Sequence, residues 1–169
     1  SSGGLMPLHQ AAVTSQTAMC ELLLDRGADV DCLDSDDNTP LHYAATSGET
    51  TTVQVLLNHG AQVDCRQNQR LSPLHWAAHK GHTSIARLLL DCGAKINVRS
   101  LESAIPLHLA ANRGHLATVR LLLDKGADTK RQTSSWDGAA GTALDLAKAK
   151  GHTRVVELLQ KHMLALKKG

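Results

Sequence analysis

The sequence repeats itself with a period of 33 residues. All four prolines stand in the same phase and are each followed by Leu-His, at Pro7, Pro40, Pro73 and Pro106. A Gly-Ala pair returns with the same period, at Gly27, Gly60, Gly93 and Gly126. A unit of this length cannot bury an apolar face alone, so successive units must stack into a linear array.

Each unit predicts two short helices. The first begins at the proline, because Thr39 or Ser72 before it is a good N-cap and proline fits the first helical turn. A Gly-His pair such as Gly81-His82 then breaks that helix, and apolar residues at helical spacing follow. Helices shorter than roughly 12 residues are marginal alone. We therefore expect the stability to come from stacking.

The fifth unit departs from the pattern. It opens at Thr142 and lacks proline, and Asp145 replaces the motif histidine. Four residues are inserted before it, near Thr133 to Trp136. We expect this unit to be a polar terminal cap. The predicted units cover residues 1–33, 34–66, 67–99, 100–136 and 137–169.

The period of 33, the Thr-Pro-Leu-His-x-Ala pattern at residues 39–44 and the closing Gly-Ala-Asp resemble the ankyrin repeat over essentially the whole chain. The resemblance implies a single all-α domain, a solenoid of stacked antiparallel helix pairs with projecting β-hairpin-like loops. Asp37, Arg70 and Ser103 stand where the family usually has a loop glycine. Since these residues tolerate positive φ less well than glycine, we expect those loops to be reshaped.

The chain of 169 residues shows no membrane or secretory signal. No apolar run approaches the roughly 18 residues that a membrane span needs, and no signal peptide opens the sequence. Four cysteines without a secretory signal favour reduced thiols. We expect a soluble, intracellular protein of the cytoplasm or nucleus, with no direct membrane insertion.

The ten histidines do not form a pattern typical of a metal site. His75 and His79 could share a helix face, but no Cys/His cluster has ligand spacing. In the family, the motif histidine holds the stack by hydrogen bonds. Neither a nucleophile motif nor a phosphate-binding glycine loop is present. We expect no catalysis, no small-molecule substrate, no cofactor and no metal.

Charge is divided along the chain. Residues 1–64 carry a net charge of −8 and residues 65–169 a net charge of +10. In a linear stack, these halves are also opposite ends. Nucleic-acid binding by the basic half is therefore an alternative, although the sequence has no recognised nucleic-acid module. Its candidate cations are Lys95, Arg99, Arg113, Lys130, Arg131, Lys148, Lys150 and Arg154.

The family resemblance implies a partner on the concave face, formed by the first helices and loop tips. The second residue after the motif leucine is Tyr43, Trp76 and Leu109 in successive units, and Trp136 lies in the inserted segment. The chain has no Phe, so its core does not depend on rings, and Trp and Tyr often anchor interfaces. Packing of Tyr43 and Trp76 against neighbouring repeats is the alternative.

The sequence therefore predicts a non-catalytic module that binds another protein, as a linear peptide or a folded partner, across the second to fourth repeats. Tyr43 and Trp76 are its predicted anchors. A spacer or assembly element within a larger scaffold, channel or ubiquitin-ligase adaptor is a further alternative. The surrounding contact residues are predicted to be Thr46, Ser47, His79, Lys80, Leu109, Asn112 and Arg113, with Asp36, Asn38, Gln69, Leu71, Glu102 and Trp136 from the loops.

Overall fold

The computed structural model describes residues 4–136 and 138–167, and the side chains of residues 135 and 136 lie outside this description. The described residues form ten helices and one two-stranded hairpin. In chain order they are α1 Pro7–Val13, α2 Thr17–Asp25, α3 Pro40–Ser47, α4 Thr50–Asn58, α5 Pro73–Lys80, α6 Thr83–Asp91, α7 Pro106–Arg113, α8 Leu116–Asp124, β1 Thr133–Trp136, β2 Ala139–Gly141, α9 Ala143–Ala149 and α10 Thr153–Leu166.

The helices pack in two layers. The first helices α1, α3, α5, α7 and α9 pack side by side in chain order, and the second helices α2, α4, α6, α8 and α10 do the same. Each first helix also packs on the second helix of its own pair. The all-α solenoid of stacked helix pairs predicted from the sequence is confirmed.

The ends of the first helices follow from local chemistry. Thr39 precedes α3 with an extended backbone, and Pro40 occupies the first helical position. The helix ends at Gly48, which has a φ of 91°. Gly81 and Gly114 end α5 and α7 in the same left-handed conformation, which glycine adopts without strain.

Small residues allow the first helices to lie close together. Pairs of alanines in α3, α5 and α7 are completely buried, at Ala44, Ala45, Ala77, Ala78, Ala110 and Ala111. Leucines such as Leu41, Leu74 and Leu107 fill the space between the two layers. Because alanine and leucine fill this narrow interior, the core needs no phenylalanine.

Backbone hydrogen bonds join the tips of successive loops. The Asn68 N–H donates to the Asp36 carbonyl at 3.2 Å, and the Leu101 N–H donates to the Gln69 carbonyl at 3.0 Å. The next loop carries the four-residue insertion, and there the chain forms the antiparallel pair β1 and β2. This hairpin continues the row, because the Ser134 N–H donates to the Glu102 carbonyl at 2.9 Å.

The expected reshaping of the loops at Asp37, Arg70 and Ser103 is wrong. These residues have φ values of 62°, 60° and 61°, so they adopt the left-handed conformation that glycine would supply. Each of them closes a turn in its own loop, since its N–H donates to the carbonyl three residues earlier, and the loops are also hydrogen-bonded to one another. A non-glycine residue in the left-handed conformation costs roughly 1–2 kcal/mol of conformational energy.

Candidate functional site

The motif histidines hold the first helices in register. Each Nδ1 accepts from the backbone N–H three residues earlier, at 3.1 Å in all four repeats that carry the motif. A backbone N–H can only donate, so the imidazole proton lies on Nε2. Each Nε2 lies 3.0–3.1 Å from the carbonyl oxygen of a loop residue. The pairs are His9 with Cys32 and Asn38, His42 with Leu71, His75 with Ala104, and His108 with Arg131.

Three of these rings, those of His42, His75 and His108, favour the neutral form. Burial lowers the pKa of both His42 and His75 to about 4. The hydrogen bond between Nε2 and a loop carbonyl raises the pKa, but by less than burial lowers it. Burial likewise lowers the pKa of His108. A proton on Nδ1 would face the backbone N–H that this atom now accepts from. His42, His75 and His108 therefore stay neutral near physiological pH and position the surface through their hydrogen bonds.

A second set of histidines is hydrogen-bonded to the ends of the first helices. The Nε2 atoms of His82, His115 and His152 bond to the carbonyls of Thr46, His79 and Asn112, at 3.1, 2.9 and 3.0 Å. Each ring lies against the glycine that ends the preceding first helix. A Cβ atom on Gly81 would lie 2.5 Å from Nδ1 of His115. Glycine here provides both the left-handed turn and the space for the ring.

Tyr43 is tied to the loop before its helix. Its hydroxyl donates to Oδ2 of Asp34 at 2.6 Å. Oδ1 of Asp34 accepts the backbone N–H groups of Asp36 and Asn38, at 2.9 and 2.8 Å. The Tyr43 ring also lies edge-on to His9, with centroids 5.7 Å apart. Tyr43 thus braces the loop tip against the first helices.

The pKa values of this pair reflect the same contacts. Burial alone would raise the pKa of Asp34, but hydrogen bonds from Tyr43, Asn38 and Asp36 bring it below the usual value. Burial raises the pKa of Tyr43 to about 12, with a further contribution from its bond to Asp34. The pair is an ionised carboxylate and a neutral phenol at physiological pH.

Trp76 has a different environment. Its half-buried side chain packs on a small apolar cluster formed by Leu71, Ala104 and Leu109, which are no more than 1% exposed. His79 lies edge-on to the indole, with ring centroids 5.9 Å apart. The indole therefore packs against residues of the next repeat on one side and is partly exposed to solvent.

Several predicted contact residues are accessible to solvent. Lys80, Arg113, Asp36, Gln69 and Glu102 are exposed, and Asn38, Thr46, Ser47 and His79 are half-buried. The hydroxyl of Thr46 donates to the His42 carbonyl at 2.9 Å, and that of Ser47 donates to the Ala44 carbonyl at 2.9 Å. These two hydroxyl protons are committed to their own helix.

Three residues predicted to contact a partner are in the interior. Leu71 and Leu109 are each 1% exposed and Asn112 is 2% exposed, so the expectation that they lie on the surface is wrong. Leu71 and Leu109 form the base on which the larger Trp76 packs. Asn112 lies where α7 meets the turn of the fifth repeat. The Trp136 side chain lies outside the described residues.

Asp34 is the residue at this surface that sequence reasoning missed. It stands in the run Asp34-Ser35-Asp36-Asp37-Asn38, which predicts only a polar loop. Its 9% exposure distinguishes it from its acidic neighbours Asp36 and Asp37, which are exposed. A buried carboxylate needs several donors, and Tyr43 nine residues later was the available signal.

Residues 4–136 and 138–167 contain neither a cluster of metal ligands nor a membrane-spanning helix. No group of three or more His, Cys, Asp or Glu side chains in this part of the chain could hold a metal ion. None of the helices described here is long and apolar enough to span a membrane. The four cysteines are free thiols, with Cys20 and Cys32 buried and Cys92 exposed.

Comparison with known families gives one match, which covers almost the whole chain. The model of a family described as ankyrin repeats, in three copies, matches residues 8–100 and again residues 100–167. No curated protein matches the sequence.

Proposed function

Because the chain belongs to the ankyrin repeat family, we propose that it binds a protein partner across the exposed side of α3, α5 and α7 and the adjoining loop tips. Ankyrin repeats are generally protein–protein interaction modules, so binding of another protein is their ordinary role. The bound element is a peptide segment or a surface of a folded protein. The domain acts by binding alone, without catalysis, inside the cell.

The environment of Trp76 is the observation that carries this proposal. A half-exposed indole on a rigid base of Leu71, Ala104 and Leu109 loses little conformational freedom when it is covered. Tryptophan in such a setting often contributes a large share of binding energy at protein interfaces. The edge-on His79 further restricts the ring. Trp76 is the anchor in this proposal.

Tyr43 has a supporting role in the same surface. Its hydroxyl is already bonded to Asp34, so it offers the ring and not a free donor to a partner. Exposed side chains of both signs lie on the same elements, with Lys80 at the end of α5, Arg113 at the end of α7 and Asp36 on the loop before α3. This arrangement of aromatic centre and charged rim is typical of protein interfaces.

Affinity capture from cell extract with the wild-type chain and the Trp76→Ala variant tests the proposal. We expect one or more proteins to be retained by the wild type and lost from Trp76→Ala. Arg87→Ala is the matched control, because Arg87 is an exposed residue of α6 in the second layer. This control is expected to retain the same proteins.

Folding must be checked, since Trp76 also packs on its base. Circular dichroism and urea unfolding of each variant separate lost binding from lost structure. Lys80→Glu is a second variant that removes no core contact, because Lys80 is exposed at the end of α5. Retention of every captured protein by both folded Trp76→Ala and Lys80→Glu would refute the proposed surface.

A further inference from the structure

A cleft of about 710 Å3 opens between two successive loops, beside the loop tips that border the proposed surface. Arg66 and Arg70 line it from the loop between α4 and α5. Lys95 and Arg99 line it from the loop between α6 and α7. Its apolar lining includes the exposed Leu101.

The lining of this cleft is strongly basic. It contains the four cations just named and no acidic residue. The Arg66 guanidinium donates to the Arg99 carbonyl at 3.4 Å, and the Arg99 guanidinium donates to the Ser103 hydroxyl at 2.8 Å. Within residues 4–136 and 138–167, no carboxylate forms an ion pair with any of the four. Oδ1 of Asp64, which lies outside this lining, accepts the Lys95 backbone N–H at 3.0 Å. One nearby carboxylate against four cations leaves the cleft positive.

The basic lining continues past the next loop. A second cleft of about 580 Å3 shares Arg99 and Ser103 with the first and adds Lys130 and Arg131. Its single acid is Asp128, whose Oδ2 lies 3.5 Å from Nε of Arg131. The two clefts together form what we call the basic groove, with six cations and one acid.

The sign of this charge is specific to the later repeats. One period earlier than Arg70, the equivalent residue is Asp37. Asp29 and Asp31 stand in the earlier loop as well, and all three residues lie outside the basic groove. The same side of the stack thus changes from acidic to basic along its length. A long polyanion that extended beyond the groove would meet these carboxylates and be repelled.

We infer that the basic groove binds a short acidic peptide segment that carries an apolar side chain. The arginine forks of Arg66 and Arg99 suit carboxylates, which they can hold by two parallel hydrogen bonds. The exposed Leu101 and the half-buried Ile96 offer an apolar contact between the charges. Acidic loops at one end limit the length of the ligand. The groove meets the proposed surface at the loop tips, but neither Tyr43 nor Trp76 lines it, so the two can be tested with different variants.

Fluorescence anisotropy with the whole domain tests this inference. The probe is a short labelled peptide in which Glu alternates with Leu, and the comparison peptide has Gln in place of every Glu. We expect the Glu peptide to bind at low salt, to weaken as salt is added, and to bind far more tightly than the Gln peptide. Leu101→Ser is expected to weaken binding of the Glu peptide as well.

Charge reversal locates the site. The double variant Arg66→Glu/Arg99→Glu should weaken binding roughly tenfold or more. Arg70→Glu/Lys95→Glu should act alike and keeps the hydrogen bonds of Arg66 and Arg99. The matched control is Arg87→Glu/Arg120→Glu, which makes the same change in net charge on exposed residues of α6 and α8. This control should bind like the wild type, and circular dichroism verifies that all three are folded.

Three results would overturn the inference. The first is absence of Glu-peptide binding at low salt. The second is an equal loss in the groove variants and the control, which would mean that only net charge matters. The third is binding of single-stranded oligo-dT more tightly than the Glu peptide with the same dependence on Arg66 and Arg99, which would make nucleic acid the ligand.

Discussion

Nε2 of His42 lies 3.0 Å from the carbonyl oxygen of Leu71 and donates its proton across the boundary between two repeats. On the other side of the same ring, Nδ1 accepts the Thr39 N–H at 3.1 Å. One neutral imidazole therefore caps its own helix and fastens the next loop. The position of Leu71, and hence of the cluster under Trp76, depends on this bond.

Acid should destabilise the domain through its buried histidines. His42 and His75 have pKa values of about 4 in the folded chain and an ordinary value of 6.5. The unfolded chain binds more protons between these values, so the stability is full above about pH 6.5 and falls as the pH approaches 4. We expect a loss of roughly 2 kcal/mol per histidine between about pH 7 and about pH 5.

Urea unfolding at those two pH values measures this loss. The His42→Gln variant should be less stable at neutral pH and should show a shallower dependence on pH, because one titrating group is gone. Comparison with the wild type cancels the effect of every other histidine. An unchanged pH dependence in His42→Gln would contradict the role given to this ring.

Gly81→Ala should cost more stability than Gly93→Ala. Both glycines have positive φ, 76° and 93°, so alanine is strained by roughly 1–2 kcal/mol at either position. Only at Gly81 would the new Cβ meet the His115 ring, whereas at Gly93 no atom lies within 4 Å. Displacing the ring also breaks its 2.9 Å bond to the His79 carbonyl. We expect a further loss of roughly 1–3 kcal/mol.

A double-mutant cycle with His115→Ala checks the cause of the difference. If the ring is responsible, Gly81→Ala should cost no more than Gly93→Ala once His115 is alanine, as measured by urea unfolding. A difference that persists without the ring would place the strain elsewhere.

Asp37→Gly should stabilise the domain. Asp37 holds a φ of 62°, which costs an aspartate energy that glycine does not lose. We expect a gain of up to about 1 kcal/mol in the free energy of unfolding. Asp36→Gly is the neighbouring control, because Asp36 has no positive φ and glycine there only adds freedom to the unfolded chain. Equal effects of the two substitutions on thermal unfolding would disprove the strain.

Tyr43→Phe should raise the pKa of Asp34. The substitution removes the 2.6 Å hydrogen bond to Oδ2 and leaves the ring in place. The pKa of Asp34 is now below its usual value, so this carboxylate stabilises the fold above about pH 4 and loses that effect as the pH falls. A hydrogen bond to a charged group contributes roughly 1.5–3 kcal/mol, which is the upper range of the expected destabilisation.

Titration of the Asp34 carboxyl carbon by NMR in wild type and Tyr43→Phe measures the shift directly. Asp145, whose pKa is lowered by its bonds to Thr142, lies in the fifth repeat and serves as an internal control. An unchanged Asp34 pKa would show that the backbone donors alone hold this carboxylate.

The order of the elements could be predicted because each helix boundary depends on local residues. Proline after Thr39 or Ser72, and glycine after Ser47 or Lys80, mark the ends of α3 and α5 in the sequence itself. The insertion before the fifth repeat was visible from spacing, and the structure places β1 and β2 there.

The details of the binding surface depend on contacts between repeats, which spacing does not reveal. Leu109 occupies the same phase as Trp76, yet Leu109 is buried, because the wider indole of the preceding repeat packs on its cluster. Likewise, Asp34 is one of several acids in its loop, and it is the buried one, where Tyr43, Asp36 and Asn38 all donate to its carboxylate. Positions equivalent by period therefore differ in exposure wherever their neighbours differ in size.

Trp76 fluorescence in the Trp136→Phe variant shows whether a partner covers Trp76, because Trp76 is then the only tryptophan. Addition of a captured partner should shift the Trp76 emission to shorter wavelength and protect Trp76 from acrylamide quenching, because the bound partner covers the exposed part of the indole. If that partner binds tightly while the emission and the quenching of Trp76 stay unchanged, it does not bind over Trp76, and the proposed surface is wrong.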